Sequence, residues 1–191
     1  MEIKNFIKIY DEALPLSVIG NIIRFSNISK FDEATIIGDK EGNNRIDLNV
    51  RKTFTYQLSN QHENMSAVHW FCLLSYFFSN YIKKYAQDLN ILDLPISQIS
   101  DIAILKYQDK GFYKWHVDHA ASVPRSLSCI LLLNNDYEGG NLCFKNPNGS
   151  DEWEVEVKPG RMIIWPSNFL YPHTVKPVTK GTRYSVVAWA L

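Results

Sequence analysis

The chain lacks an excess of either charge. Twenty Lys and Arg balance twenty Asp and Glu over 191 residues. A neutral chain has no general electrostatic pull toward nucleic acid or anionic lipid, so neither is an expected partner. Cysteine is scarce as well. Cys72, Cys129 and Cys143 are far apart, form no CxxC pair, and sit in the apolar runs "WFCLL", "LSCILLL" and "NLCF". An odd, scattered set argues against a disulfide scheme and predicts three buried thiols in a reducing compartment. Long apolar runs are missing too. Polar residues interrupt each one well short of the ~20 needed to span a bilayer. The start, "MEIKNFIKIYDEALP", has no basic stretch followed by an apolar one, so no signal peptide is expected and the expected place is the cytoplasm. Repeats, low-complexity tracts and linkers are absent, and the length suits a single domain over 1–191.

Two helical patterns and a run of short strands fill that length. "ALPLSVIGNIIRFSN" (13–27) carries Leu16, Ile19, Ile22 and Ile23 at helical spacing, with Pro15 suited to a first turn. "ENMSAVHWFCLLSYFFSNYIKKYAQDL" (63–89) predicts a long helix, with Val68, Phe71, Cys72 and Leu74 to Phe78 on its apolar side. Between them, 34–50 is polar and rich in Gly and Asn, which reads as a long excursion or hairpin tip and a mobile loop. After residue 98, eight β-type runs alternate with turn chemistry such as "QDKG", "NNDYEGG" and "KNPNGSDE". The expectation is a mostly β domain: N-terminal helices, strands and loop over 1–98 supporting a jelly-roll core over 99–191.

Chemistry concentrates in "GFYKWHVDHA", which holds two of only five histidines. In a strand, residues i and i+2 share a face, so His116 and Asp118 would point one way and Val117 the other. An imidazole and a carboxylate so placed can hold one metal ion. His173 in "LYPHTV" is a candidate third ligand from another strand. Two histidines and one carboxylate on one side of a metal leave open positions opposite, an arrangement that suits non-haem Fe(II) oxygenases. HxD by itself is a weak signal, and ordinary polar residues on an edge strand are its plainer explanation. Arg183 adds weight. Alternation in "GTRYSVVAW" puts Arg183, Ser185, Val187 and Trp189 on one face, and a guanidinium beside a hydroxyl is a good carboxylate clamp. An iron site near such a clamp predicts a keto acid as co-substrate.

The pattern "KYQDKGFYKWHVDHA … RSLSCILLLNNDYEGGNLCF … RMIIWPSNFLYPHTVKPVTKGTRYSVVAW" resembles the Fe(II)/2-oxoglutarate-dependent dioxygenases, in their prolyl 4-hydroxylase-like branch. The resemblance is strong over 99–191 and weaker through the N-terminal helices. It implies a double-stranded β-helix, a cupin-like jelly roll with the metal inside one mouth. It implies Fe(II) on His116, Asp118 and His173. It places 2-oxoglutarate on Arg183 with Ser185 and Tyr107, with O2 as second co-substrate and ascorbate as an accessory. It places a prolyl substrate against Tyr113, Arg125, Trp189 and Arg51. The reaction implied is hydroxylation of an unactivated C–H bond, of the procollagen- or peptidyl-proline 4-hydroxylase type, with 2-oxoglutarate decarboxylated to succinate and CO2. The expected partner is a proline-containing peptide or protein.

Plainer roles stay open for some of these residues. Tyr107, Tyr113 and Trp189 suit a packed core, and Arg125 a solvated strand start. The chain also departs from relatives of this branch. Collagen-type enzymes usually clamp the co-substrate with Lys, where this chain has Arg183, and the oxygen-sensing relatives carry a tyrosine where this chain has Leu132. His119 is expected to face away from Asp118, His62 and His69 to be structural, and Trp115 and Trp165 to pack. The rival readings are the same fold acting on a free amino acid or other small molecule, a metal- or 2-oxoglutarate-binding sensor without catalysis, and a zinc hydrolase, which would leave Arg183 without a purpose.

Overall fold

The structure is a computed structural model, and it describes residues 2–37, 43–59, 61–94, 96 and 98–191. Two sheets face each other and form a jelly roll. The major sheet runs in the order β1 (Lys8–Tyr10), β13 (Met162–Pro166), β9 (Leu127–Leu132), β16 (Thr182–Ala190), β7 (Ile99–Gln108), β6 (Phe54–Gln57) and β2 (Asp32–Glu33). The minor sheet runs β12 (Glu152–Glu154), β11 (Leu142–Lys145), β14 (His173–Val175), β8 (Phe112–His116) and β5 (Arg51–Lys52). Two small pairs flank them: β3 (Ile36–Ile37) with β4 (Asn44–Arg45), and β10 (Glu138–Gly139) with β15 (Val178–Lys180). Strands from 1–98 thus join both sheets. Of the polar stretch 34–50, the described residues include the paired strands β3 and β4, and 38–42 lie outside the described residues.

The major sheet is buried on both faces, which explains its near-continuous apolar strands. Along β9, Leu127, Cys129 and Leu131 face the helices, while Ile130 and Leu132 face the minor sheet. In β16, Tyr184, Val186, Ala188 and Ala190 take the helix side and Val187 and Trp189 the inner side. In β7, Ile102 and Ile104 face out, and Ala103, Leu105 and Tyr107 face in. The period of two therefore separates a helix-side core from a barrel core.

Helices α1 (Leu16–Ile28) and α2 (Met65–Asp88) cover the outer face. Asn64 caps α2, its side-chain oxygen accepting from the Ser66 and Ala67 amides at 3.1 and 3.2 Å. The buried stripe of α2 is Ala67, Trp70, Leu74, Phe78, Ile82 and Tyr85. This corrects two expectations. Cys72 is an exposed thiol, because at about 100° per residue it lies on the far side from Leu74. Leu16 is exposed at the first turn of α1, with Pro15 outside it as the N-cap. No helix among the described residues is long and apolar enough to cross a membrane.

Candidate active site

Strands β8 and β14 pair so that His116 lies directly opposite His173, with an irregular register just beyond. Cross-strand pairing brings the ring centroids to 4.2 Å. β8 stops at His116, so strand alternation does not place Asp118. The chain turns, Val117 goes to the surface, and Asp118 is buried. The expected convergence still occurs, by a different route. Asp118 Oδ1 is 3.5 Å from His116 Nε2, and Oδ2 is 3.4 Å from His173 Nε2. One ligand atom from each of the three residues lies within 4.8 Å of the others.

The backbone sets the tautomers. His116 Nδ1 lies 2.8 Å from the Lys114 carbonyl, and His173 Nδ1 lies 3.1 Å from the Tyr171 carbonyl. A carbonyl only accepts, so each Nδ1 carries the proton and each Nε2 turns a lone pair toward Asp118. Burial, with His116 close by, pushes His173 down to about 4, so it is neutral at physiological pH. Burial would favour the neutral Asp118 acid, but the facing His173 and His116 rings and the Ser128 hydroxyl bond outweigh it and hold the carboxyl well below its usual range. Two imidazoles that each offer Nε2 and one carboxylate form a preorganised donor set that fits Fe(II). Tyr113 stacks on His116 at 3.5 Å, and Trp165 meets His173 edge-on at 5.0 Å.

On the major sheet, Arg183 pairs across to Tyr107. It is only 1% exposed, a costly position for a charge. Its Nη1 donates to Ser185 Oγ at 3.0 Å, and the guanidinium lies 5.0 Å from the Tyr107 ring centroid. Arg183 Nε and Nη2 are buried with no hydrogen-bond partner, and so is the nearby Tyr137 hydroxyl. Unsatisfied guanidinium N–H groups fit a carboxylate acceptor. Gly140 makes room beside them. At φ +66°, any Cβ there would lie 3.1 Å from Arg183 Cδ and 3.2 Å from Tyr137 Cε2.

A cavity of about 740 Å³ opens between the sheets. His116, Asp118 and His173 line it, and so do Tyr107, Tyr113, Arg125, Trp189 and Arg51. Arg183 and Ser185 stand behind its wall, with the Tyr107 ring against the guanidinium. Arg125 lies over the Trp189 ring, 3.7 Å from its centroid, and reaches Asp101 Oδ2 at 3.4 Å. Asp101 can do this because it sits at a bulge of β7 with φ 53°. Arg51 lies over Tyr113 at 4.7 Å and donates to the Thr35 carbonyl at 3.0 Å. His119 is exposed, with Nδ1 2.9 Å from the Arg125 carbonyl, as expected of a residue facing away.

Sequence reasoning passed over Tyr137, Ser128 and Ser167. Ser128 Oγ donates to Asp118 Oδ2 at 2.6 Å, and Ser167 Oγ lies 2.7 Å from Ser128 Oγ. A polar residue inside the apolar run "LSCILLL" was a usable signal for Ser128.

Comparison with known proteins agrees with this geometry. Residues 102–191 match the family model described as the 2OG-Fe(II) oxygenase superfamily. A PKHD-type hydroxylase of Idiomarina loihiensis is 32% identical over 96 residues, covering 48% of this chain and 42% of the relative. Another, from a Synechococcus species, is 37% identical over 98 residues, covering 49% and 42%. The chain thus matches under half the length of these curated relatives. Among solved structures, a Trichoplax adhaerens prolyl hydroxylase in complex with a hypoxia inducible factor peptide fragment superposes with TM-score 0.72 at 14% identity, covering 98% of this chain and 84% of that one. A Pseudomonas putida prolyl-4-hydroxylase superposes with TM-score 0.71 at 19% identity, covering 97% and 91%. At such identities the likeness establishes the fold.

Proposed function

Because residues 102–191 match the model of the 2OG-Fe(II) oxygenase superfamily, we propose that this chain belongs to that superfamily and hydroxylates prolyl residues of a peptide or protein. One oxygen atom of O2 enters the substrate C–H bond as hydroxyl. The other enters succinate as 2-oxoglutarate loses CO2. Bound at His116, Asp118 and His173, Fe(II) with 2-oxoglutarate supplies the oxidising power that no side chain has.

The chain's own residues hold and orient. His116 and His173 offer Nε2, and Asp118 offers a carboxylate oxygen. The observation that carries the reading is Arg183: a buried cation with two unsatisfied N–H positions, in the same barrel as a buried His-Asp-His set. Arg183 would take the distal carboxylate of 2-oxoglutarate, oriented by Ser185, with Tyr107 between clamp and metal end. Tyr113, Arg125 and Trp189 would form the prolyl pocket, and Arg51 would brace it from the β3–β4 side. Leu142, Trp165, Val175 and Val187 give the cavity apolar walls that would help keep water from the reacting centre once substrate is bound.

The same reading takes 1–191 as one unit, since Arg51 from the first half packs on Tyr113 of the second. Three free thiols support a reducing, cytoplasmic setting. Ascorbate belongs in the assay as the reductant of this enzyme type.

The test is succinate formation by iron-loaded protein with 2-oxoglutarate, O2 and ascorbate, with and without proline-rich peptides, and with His116→Ala as control. The expected result is peptide-stimulated turnover with one oxygen gained on the peptide. Turnover that depends on His116 but ignores peptides would replace the peptide with a free amino acid or small molecule. Binding of metal and 2-oxoglutarate without turnover on either class would favour a sensor.

A further inference from the structure

Strand β8 ends before Asp118, so something else must hold this carboxylate. Ser128 Oγ lies 2.6 Å from Asp118 Oδ2 and 2.7 Å from Ser167 Oγ. Ser128 and Ser167 are each 1% exposed and Asp118 is 9% exposed. The direction of this chain follows from proton counting. An ionised carboxylate only accepts, so Ser128 donates its single proton to Asp118. Ser128 then has no proton for Ser167, and Ser167 must donate to Ser128. Donors aligned head to tail polarise one another and strengthen the last bond.

The backbone completes a clamp. The Ser167 amide donates to the Ser126 carbonyl at 3.0 Å, and the His119 amide donates to the Ser167 carbonyl at 3.0 Å. Ser128 lies on β9, and Ser167 follows β13. The turn after β8 is therefore fastened to two strands of the opposite sheet.

We infer that Ser128, supported by Ser167, is a positioning residue that fixes the rotation of the Asp118 carboxylate and so sets the metal affinity and coordination geometry of the site. Its relevance to metal rests on the function proposed above. The hydroxyl chain occupies one lone pair of Oδ2 and holds the carboxylate plane in place. Loss of the donor frees the carboxylate to rotate or bind through both oxygens, and leaves the Ser167 donor without its acceptor.

The test is titration of folded protein with Co(II), following the visible bands that report coordination geometry. Ser128→Ala should weaken Co(II) binding by about 10–100-fold, the size seen when partners of metal ligands are removed, and should change the band shape. Ser128→Thr keeps the hydroxyl and should restore affinity to near wild type. Ser167→Ala should lose less, and should add nothing in the Ser128→Ala background, because it acts through Ser128. Wild-type affinity and spectrum in Ser128→Ala would overturn the inference, as would fully additive losses in the double variant. Failure of the wild-type chain to bind Co(II) through His116 would overturn the metal-site reading itself, and this inference with it.

Discussion

The major and minor sheets place their functional side chains by different means. In β7, β9 and β16, long strands in extended ladders send every second residue inward. Tyr107, Ser128, Arg183 and Ser185 reach the interior by that rule alone. In the minor sheet the strands are short, and the candidate ligands sit at their ends. His116 closes β8, His173 opens β14, and Asp118 lies past the strand altogether. Regular pairing thus builds the candidate clamp end, while turns, a bulge and side-chain hydrogen bonds build the candidate metal end. Regular geometry is stiff and hard to perturb at a single residue. Irregular geometry depends on a few named contacts and should break at them.

The largest effect should come from the metal end. Asp118→Ala or His116→Ala should abolish Co(II) and Fe(II) binding in titration while the protein stays folded by circular dichroism. A folded variant that still binds metal tightly would break the contrast between the sheets. Next comes the clamp. Arg183→Ala should cost about 2–5 kcal/mol of 2-oxoglutarate binding by calorimetry and leave Co(II) affinity intact. Arg183→Lys should recover only part of it, because an ammonium lacks the two-pronged fork.

Gly140→Ala tests how closely the clamp is packed. Its Cβ would crowd Arg183 Cδ and Val178 Cγ2, the latter at 2.9 Å, in a left-handed conformation. The expected result is about 1–2 kcal/mol of lost stability in denaturant unfolding, with weaker 2-oxoglutarate binding.

The smallest effect lies at the edge of the major sheet. Bonds from Arg161 hold the Asp11 carboxyl down to about 2. A carboxyl lowered in the folded state stabilises fully above its unfolded value near 3.8, and that contribution is lost as pH falls toward 2. Asp11 is 40% exposed, so solvent screening keeps the effect under about 1 kcal/mol. Asp11→Asn should therefore lower the melting temperature slightly at pH 6 and not at pH 2, with no change in metal binding.

The inward set Arg183, Ser185, Val187 and Trp189 was legible, because a strand's period survives any tertiary context that keeps it a strand. The same logic applied to "WHVD" named three candidate ligands that the structure brings together, through a strand that ends two residues early. Cys72 failed differently. In "VHWFCLLSYFF" nearly every position is apolar, so composition could not say which side of α2 faces in; packing on the outer face of the major sheet decided it. Tyr137 was missed because its place beside Arg183 arises from the pairing of β10 with β15, which sets the residue before β10 against the turn into β16.

By itself, then, the sequence determined the strand-rich architecture, the inward face of each long strand and the candidate ligand types, since these depend on local periodicity and on the chemistry of the side chains. Only the tertiary structure decided how Asp118 is held, which hydroxyls serve it, and which buried N–H groups of Arg183 stay unsatisfied. Those depend on contacts between residues ten to forty-six positions apart, such as Asp118 with Ser128 and Arg183 with Tyr137, which no local pattern encodes.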